Sequence, residues 1–126
     1  MAGAAKFEEL IAWQKARELT KRIYAVTRSK PLKQDYGLCD QMRRASVSIM
    51  SNVVEGFERV SPAEFIRFLL IARASCGELR NQLYIAFDVG YLTEEDFKDL
   101  MREAQDVART INALRSSIDR RHKPAT

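Results

Sequence analysis

The sequence predicts an all-α fold, an antiparallel up-down-up-down four-helix bundle. Apolar residues recur at helical spacing along four segments. Helix-starting and helix-stopping residues separate those segments, and no stretch alternates apolar and polar residues as a strand would. Short connections between long helices make sequence neighbours pack side by side. A chain of 126 residues fits one domain and buries roughly two-thirds of its unfolded surface, so a core forms without disulfides or metal. The expected division is a disordered N-terminus over 1–6, the bundle over 7–120 and a flexible tail over 121–126.

The first helix is expected from Phe7 to Thr27. Ala12, Trp13, Ala16, Leu19, Thr20, Ile23 and Tyr24 form its apolar stripe, and Ser29-Lys30-Pro31 ends it because the residue before proline avoids helical angles. The second begins at Asp35, a good N-cap, and runs to Gly56 or just beyond. Ser61-Pro62-Ala63-Glu64 joins a capping-box pattern to a proline at the first helical position, so the third helix starts there and stops at Gly90. Thr93 caps the fourth, whose first turn carries Glu94, Glu95 and Asp96 where the helix dipole favours acids. One stripe from Phe97 through Leu100, Ala104, Val107 and Ile111 to Ile118 faces the core.

The second and third helices carry more apolar surface than a four-helix core can hide. Leu38, Met42, Val47, Ile49, Met50, Val53, Val54 and Phe57 cover about half the circumference of the second. Its other half holds Gln41, Arg44, Ser48, Ser51, Asn52 and Glu55. The third has a seam from Phe65 to Phe87 and, away from it, Ile66, Leu70, Ile71, Tyr84 and Ile85. Ala74, Gly77 and Asn81 line a small-residue track there, and a mid-helix glycine costs about 1 kcal/mol relative to alanine. Close packing against another helix would explain it. The expectation is a homo-oligomer whose copies cover this surface.

Charge points weakly toward a partner. The first 59 residues hold eleven Lys/Arg against seven Asp/Glu, the remainder ten of each, so the net +4 is concentrated at the front. That bias is compatible with RNA or DNA. On the first helix Lys15 and Arg22 share one outer face, while Arg17, Lys21 and Arg28 share another; these five are the candidate nucleic-acid contacts. The plainer reading is a solvated face interleaved with Glu8, Glu9 and Glu18. No aromatic residues alternate with these cations, so contact with phosphate rather than base stacking is expected.

Chemistry has little to stand on. The one histidine, His122, lies in the tail, so neither a triad nor a histidine metal site can be assembled. Glu-x-x-His pairs and glycine-rich phosphate loops are absent. No catalytic residue, metal or cofactor is expected. Cys39 and Cys76 read as reduced, buried thiols. No apolar run reaches the ~18 residues of a membrane span, and Met1–Ala5 is too short for a signal segment, so the expectation is a cytoplasmic protein with no membrane partner.

Six fragments in order carry a resemblance: Phe7-x-x-Leu10-x-x-Trp13-Gln14-x-Ala16, Tyr36-Gly37-Leu38, Gln41-x-Arg43-Arg44-Ala45-x-x-Ser48-Ile49, Asn52-x-x-Glu55-Gly56, Phe68-Leu69-x-Ile71-Ala72 with Ser75-x-x-Glu78-Leu79, and Gly90-Tyr91-Leu92. Over residues 7–120 the chain resembles the bacterial four-helix bundle proteins first described from intervening sequences inside 23S ribosomal RNA genes. The resemblance implies a ring-like homopentamer and brings no defined activity with it. Distantly similar are the accessory proteins of diversity-generating retroelements, which bind a reverse transcriptase and nucleic acid. The motif residues Gln41, Arg43, Arg44, Ser48, Asn52, Glu55, Gly56 and Glu78 are read as a polar interface network, with Arg43 or Arg44 pairing with Glu55 or Glu78 between helices or subunits. The alternative is that Arg44, Gln41, Ser48 and Asn52 touch phosphates or a partner protein. The resulting reading is a non-enzymatic binding or accessory module with RNA as leading partner; a protein-interaction scaffold is the runner-up.

Overall fold

Asp35, Ser61 and Thr93 start three helices as their side chains suggest. Each accepts a hydrogen bond from the backbone N–H three residues on: Leu38 at 3.1 Å, Glu64 at 3.4 Å and Asp96 at 3.1 Å. In the computed structural model, which describes residues 3–121, these caps open α2 (Tyr36–Phe57), α3 (Pro62–Asp88) and α4 (Glu94–Arg121). The fold is all-α: four long helices and no strand among the described residues. Each helix packs on two others, α2 on α1 and α3, α4 on α3 and α1.

The first helix differs from expectation at its start. Phe7–Glu9 is a single 3-10 turn, Leu10 is extended, and α1 runs from Ile11 to Thr27. The break lets Leu10 turn its side chain into the core, where it is 4% exposed. The side-chain amide of Gln14 then donates to the Glu8 carbonyl and ties the turn to the helix. Of the flexible tail expected over 121–126, Arg121 is instead the last residue of α4, and the rest lies outside the described residues. At the other end Ala4 is half-buried against the core.

One core runs through the four helices. Leu19, Ile23, Met42, Ile49, Phe65, Leu69, Leu79, Leu83, Leu100, Ile111 and Ile118 are all effectively sealed from solvent. Burying side chains of this size stabilises by roughly 1.5–3 kcal/mol each before the entropy of ordering is subtracted. Trp13 and Tyr24 sit at its rim, half-buried, rather than inside it.

The α3–α4 turn is defined by backbone bonding. Gly90, at φ +84°, allows the Gly90 N–H to reach the Phe87 carbonyl and the Tyr91 N–H to reach that of Ala86, the paired bonds of a Schellman ending. Leu92 is thereby buried, and the Tyr91 hydroxyl donates to Asp35 Oδ2 at 3.2 Å, latching this turn to the cap of α2.

Candidate functional site

Two of the five expected nucleic-acid contacts are already occupied. Lys15 Nζ lies 2.7 Å from Asp106 Oδ2, and Arg22 Nη1 lies 2.6 Å from Glu103 Oε2. Both pairs join α1 to α4, and among the described residues they are the ion pairs that cross between helices. Lys15 so strongly favours the charged form of Asp106 that the carboxyl is held below its ordinary range. Of the remaining three, Lys21 makes a loose 3.5 Å contact with Glu18, and Arg17 lies over the Trp13 ring. Arg28 pairs with no acid among the described residues.

Arg28 belongs instead to a cluster that sequence reasoning did not assemble. The 3-10 turn Leu32–Gln34 between α1 and α2 brings Arg28 and Lys33 beside Tyr36, Asp40 and Arg43, around a groove of about 620 Å³. Tyr36, Asp40 and Arg43 share a face because they stand four and three residues apart on α2. A second groove of about 510 Å³ continues past Asp40 and Arg43 to Tyr24, Arg44 and Ser48. Here aromatic rings do accompany cations, contrary to the expectation from α1 alone. The linear signal was a turn that folds back, and periodicity within one helix cannot report it.

Arg43 is the fixed element of this cluster. Its Nε donates to Thr27 Oγ1 at 2.8 Å, and its guanidinium carbon lies 4.7 Å from the centre of the Tyr24 ring. Thr27 Oγ1 in turn donates to the Ile23 carbonyl at 2.7 Å, so the acceptor is itself anchored. Cys39 lies beneath, its thiol against the Leu32 and Thr27 carbonyls, and burial pushes the thiol's pKa up.

The expected pairing of Arg43 or Arg44 with Glu55 or Glu78 does not occur within the chain. Arg44 bonds Asp40 one turn earlier at 2.9 Å, and Glu55 reaches Arg59 at 3.8 Å. Arg44 and Glu55 stand about 16 Å apart along one helix, too far to meet in a single copy. Gln41, Arg44, Ser51, Glu55 and Glu78 all remain exposed. Only the middle of the stripe is knitted in: Ser48 and Ser75 hydroxyls meet at 2.9 Å, and the Asn52 amide donates to Ser48 O at 2.8 Å.

The glycines divide likewise. Within the chain, the close helix approach expected at Gly77 is found instead at Gly56, where a Cβ would stand 2.8 Å from Phe65 Cδ1 and 3.1 Å from the Phe65 carbonyl. At Gly77 a Cβ would meet nothing within 4 Å, and Ala74 and Asn81 beside it are exposed. The same face of α3 leaves Leu70, Ile71, Tyr84 and Ile85 each two-fifths to one-half exposed. Val47 on α2 matches them at 41%, while Met50, Val54, Phe57 and Ile66 are half-buried against the chain's own core or its margin. Among the described residues no three His, Cys, Asp or Glu side chains gather to hold a metal, and no helix is long and apolar enough to cross a membrane.

Comparison with known proteins agrees with the resemblance in the motifs. No curated protein sequence matches the chain. A crystal structure of a protein with unknown function from the S23 ribosomal protein family of Bacteroides thetaiotaomicron VPI-5482 is similar in fold. The match has a TM-score of 0.77 and 21% identity, and it covers 83% of this chain and 98% of that one. The model of the 23S rRNA-intervening sequence protein family matches residues 8–113, almost from the 3-10 turn to the last third of α4, and the chain therefore belongs to that family.

Proposed function

We propose that the chain is a non-enzymatic, cytoplasmic accessory module that assembles with copies of itself and binds nucleic acid, RNA foremost, through basic surface. The observation that carries this reading is the gathering of Arg28, Lys33 and Arg43 at one end of the bundle, none of them neutralised by an acid in an ion pair among the described residues. Phosphate contact needs cations free to displace the counterions condensed on a nucleic acid, and these are without an acid partner where Lys15 and Arg22 are not. Assembly multiplies the +4 of one chain by the number of copies, five by the family resemblance, and strengthens the field accordingly.

The arrangement of each copy is read as up-down-up-down and antiparallel. Ascending residues of α1, Lys15 then Arg22, meet descending residues of α4, Asp106 then Glu103. The exposed apolar face of α3 supports assembly, because contiguous patches of this kind mark interaction surfaces. A cytoplasmic location is supported by the two free, buried cysteines.

Salt-titrated binding of labelled RNA and DNA tests the reading. Affinity should fall by orders of magnitude between low and physiological salt. Reversing Arg28 and Lys33, the exposed cations of that cluster, to glutamate should remove binding while light scattering shows an unchanged oligomer. The runner-up, a protein-interaction scaffold, draws support from the use of Lys15 and Arg22 inside the bundle. Wild-type protein that retains no nucleic acid even at low salt would select it.

A further inference from the structure

We infer that the groove between the end of α1 and the start of α2 is a single-stranded polynucleotide subsite, with Arg43, Arg28 and Lys33 on phosphate and Tyr36 stacking a base. The inference deepens the nucleic-acid reading above and rests on it. Two features of the groove favour phosphate, and another, the exposed ring of Tyr36, favours a strand with splayed bases over a duplex.

The first is the state of Arg43. It is half-buried, its Nε is committed to Thr27 and its guanidinium carbon lies over the Tyr24 ring, yet no carboxylate among the described residues pairs with it. Both terminal amino groups are left with their N–H bonds to give, and a guanidinium withdrawn from water and oriented in advance binds an oxyanion with little further ordering. Arg43 lines both grooves, so an anion placed there is reached from either side.

The second is Tyr36. It begins α2 with 82% of its surface exposed, far more than any packing role requires, on the wall of the same groove. A ring in that position offers a flat face to a base, and stacking on aromatic rings is how sequence-tolerant proteins hold single strands. Bases inside a duplex are already stacked and cannot use it.

The third is charge. Four cations, Arg28, Lys33, Arg43 and Arg44, stand around one acid, Asp40, which is itself engaged by Arg44 at 2.9 Å. The groove therefore presents net positive potential at one end of the bundle, away from the α1–α4 ion pairs that neutralise Lys15 and Arg22.

Fluorescence anisotropy with a labelled oligouridylate and with an RNA duplex of equal length provides the test, at low salt and with full-length protein. Wild type should prefer the single strand. Tyr36→Ala should weaken single-strand binding by about five- to a hundredfold, the range that loss of one base–aromatic stack gives, and leave duplex binding unchanged. Tyr36→Phe should restore it. Arg43→Lys keeps the charge but loses the fork and should also weaken binding. Because Arg43 contacts Thr27, its thermal melt is recorded alongside, and Tyr36→Ala remains decisive should that variant unfold. Equal affinities for wild type and Tyr36→Ala overturn the subsite while leaving nucleic-acid binding standing; wild type that binds neither probe overturns both. A changed oligomer size in Tyr36→Ala would assign the ring to assembly and likewise overturn the subsite.

Discussion

The α1–α4 seam and the α2–α3 seam close the same core by different chemistry. Across the first, Lys15 meets Asp106 and Arg22 meets Glu103, and charged groups finish the outer surface. Across the second no ion pair forms among the described residues. A serine pair, Ser48 with Ser75, and the tight fit of Gly56 on Phe65 join the helices instead. Beyond that seam Leu70, Ile71, Tyr84 and Ile85 stand exposed along α3. One side of the bundle is built to meet water. The other sets exposed aliphatic and aromatic groups among the charges of Arg67, Arg73 and Glu78.

Charging the apolar side is the strongest way to break this contrast. If copies assemble as proposed, Leu70→Glu combined with Ile85→Glu should leave single chains of 14.5 kDa by light scattering, with helical content unchanged. Both residues are about two-fifths exposed in one copy, so the core does not depend on them. Unchanged oligomer size would mean that the α3 flank is not where copies meet.

Next in size is the contrast between two glycines. Gly56→Ala forces a methyl against both the side chain and the carbonyl of Phe65, and overpacking of that kind costs about 1–3 kcal/mol. Gly77→Ala meets open space within the chain and should stabilise a single copy by up to about 1 kcal/mol through helix propensity. If a sister helix packs on the Gly77 track, the same methyl weakens assembly. Urea melts of the monomeric double variant, with and without Gly77→Ala, separate the two contributions; a destabilised monomer would contradict the open space.

Much of this contrast is legible in the amino-acid sequence. Caps at Asp35, Ser61 and Thr93 and the ending at Gly90 act within one turn, where sequence and geometry are locked together, and all four stand where expected. The surplus apolar residues of α3 were visible as positions off the core seam. What a linear reading missed depends on distance along the chain. Phe7, Leu10 and Trp13 keep a three-residue spacing through both the 3-10 turn and the helix, so periodicity does not reveal the break at Leu10. Lys15 and Arg22 looked free because their acids lie more than 80 residues away on another helix. Arg43 was placed in a network with Glu55 or Glu78 because its real partners, Thr27 and Tyr24, are neutral and belong to α1. Tyr36 enters the linear reading only within the fragment Tyr36-Gly37-Leu38, and it is the preceding turn that sets Arg28 and Lys33 beside it.

The cysteines offer a check on the shared core. Cys76 is 1% exposed, and burial pushes its thiol up to about 12; Cys39 is buried and raised as well. Neither thiol should react with iodoacetamide at mildly alkaline pH in native protein, and both should react once urea unfolds it. Rapid labelling of Cys76 in native protein would show that the α2–α3 side opens more readily than its packing allows.

The α1–α4 pairs should give the smallest effect, and pH reveals it. Each involves partly exposed side chains, so a double-mutant cycle on Lys15 and Asp106 should return about 0.2–1 kcal/mol at neutral pH. The hydrogen bond from Lys15 holds the Asp106 carboxyl below its ordinary value, which means the folded chain binds that proton less readily than the unfolded one. The stabilisation is therefore complete above the ordinary aspartate value of about 3.9 and is lost as pH falls through the lower folded value. Asp106→Asn cannot titrate, so the stability gap between wild type and this variant should be widest near neutrality and shrink below about pH 4. Lys15→Met should narrow the gap in the same window, because it removes the cause of the shift. A gap that stays constant from neutral to acid pH would show that the Asp106 carboxyl is held by neither Lys15 nor Arg109, and that the seam of α1 and α4 owes its closure to the core beneath it.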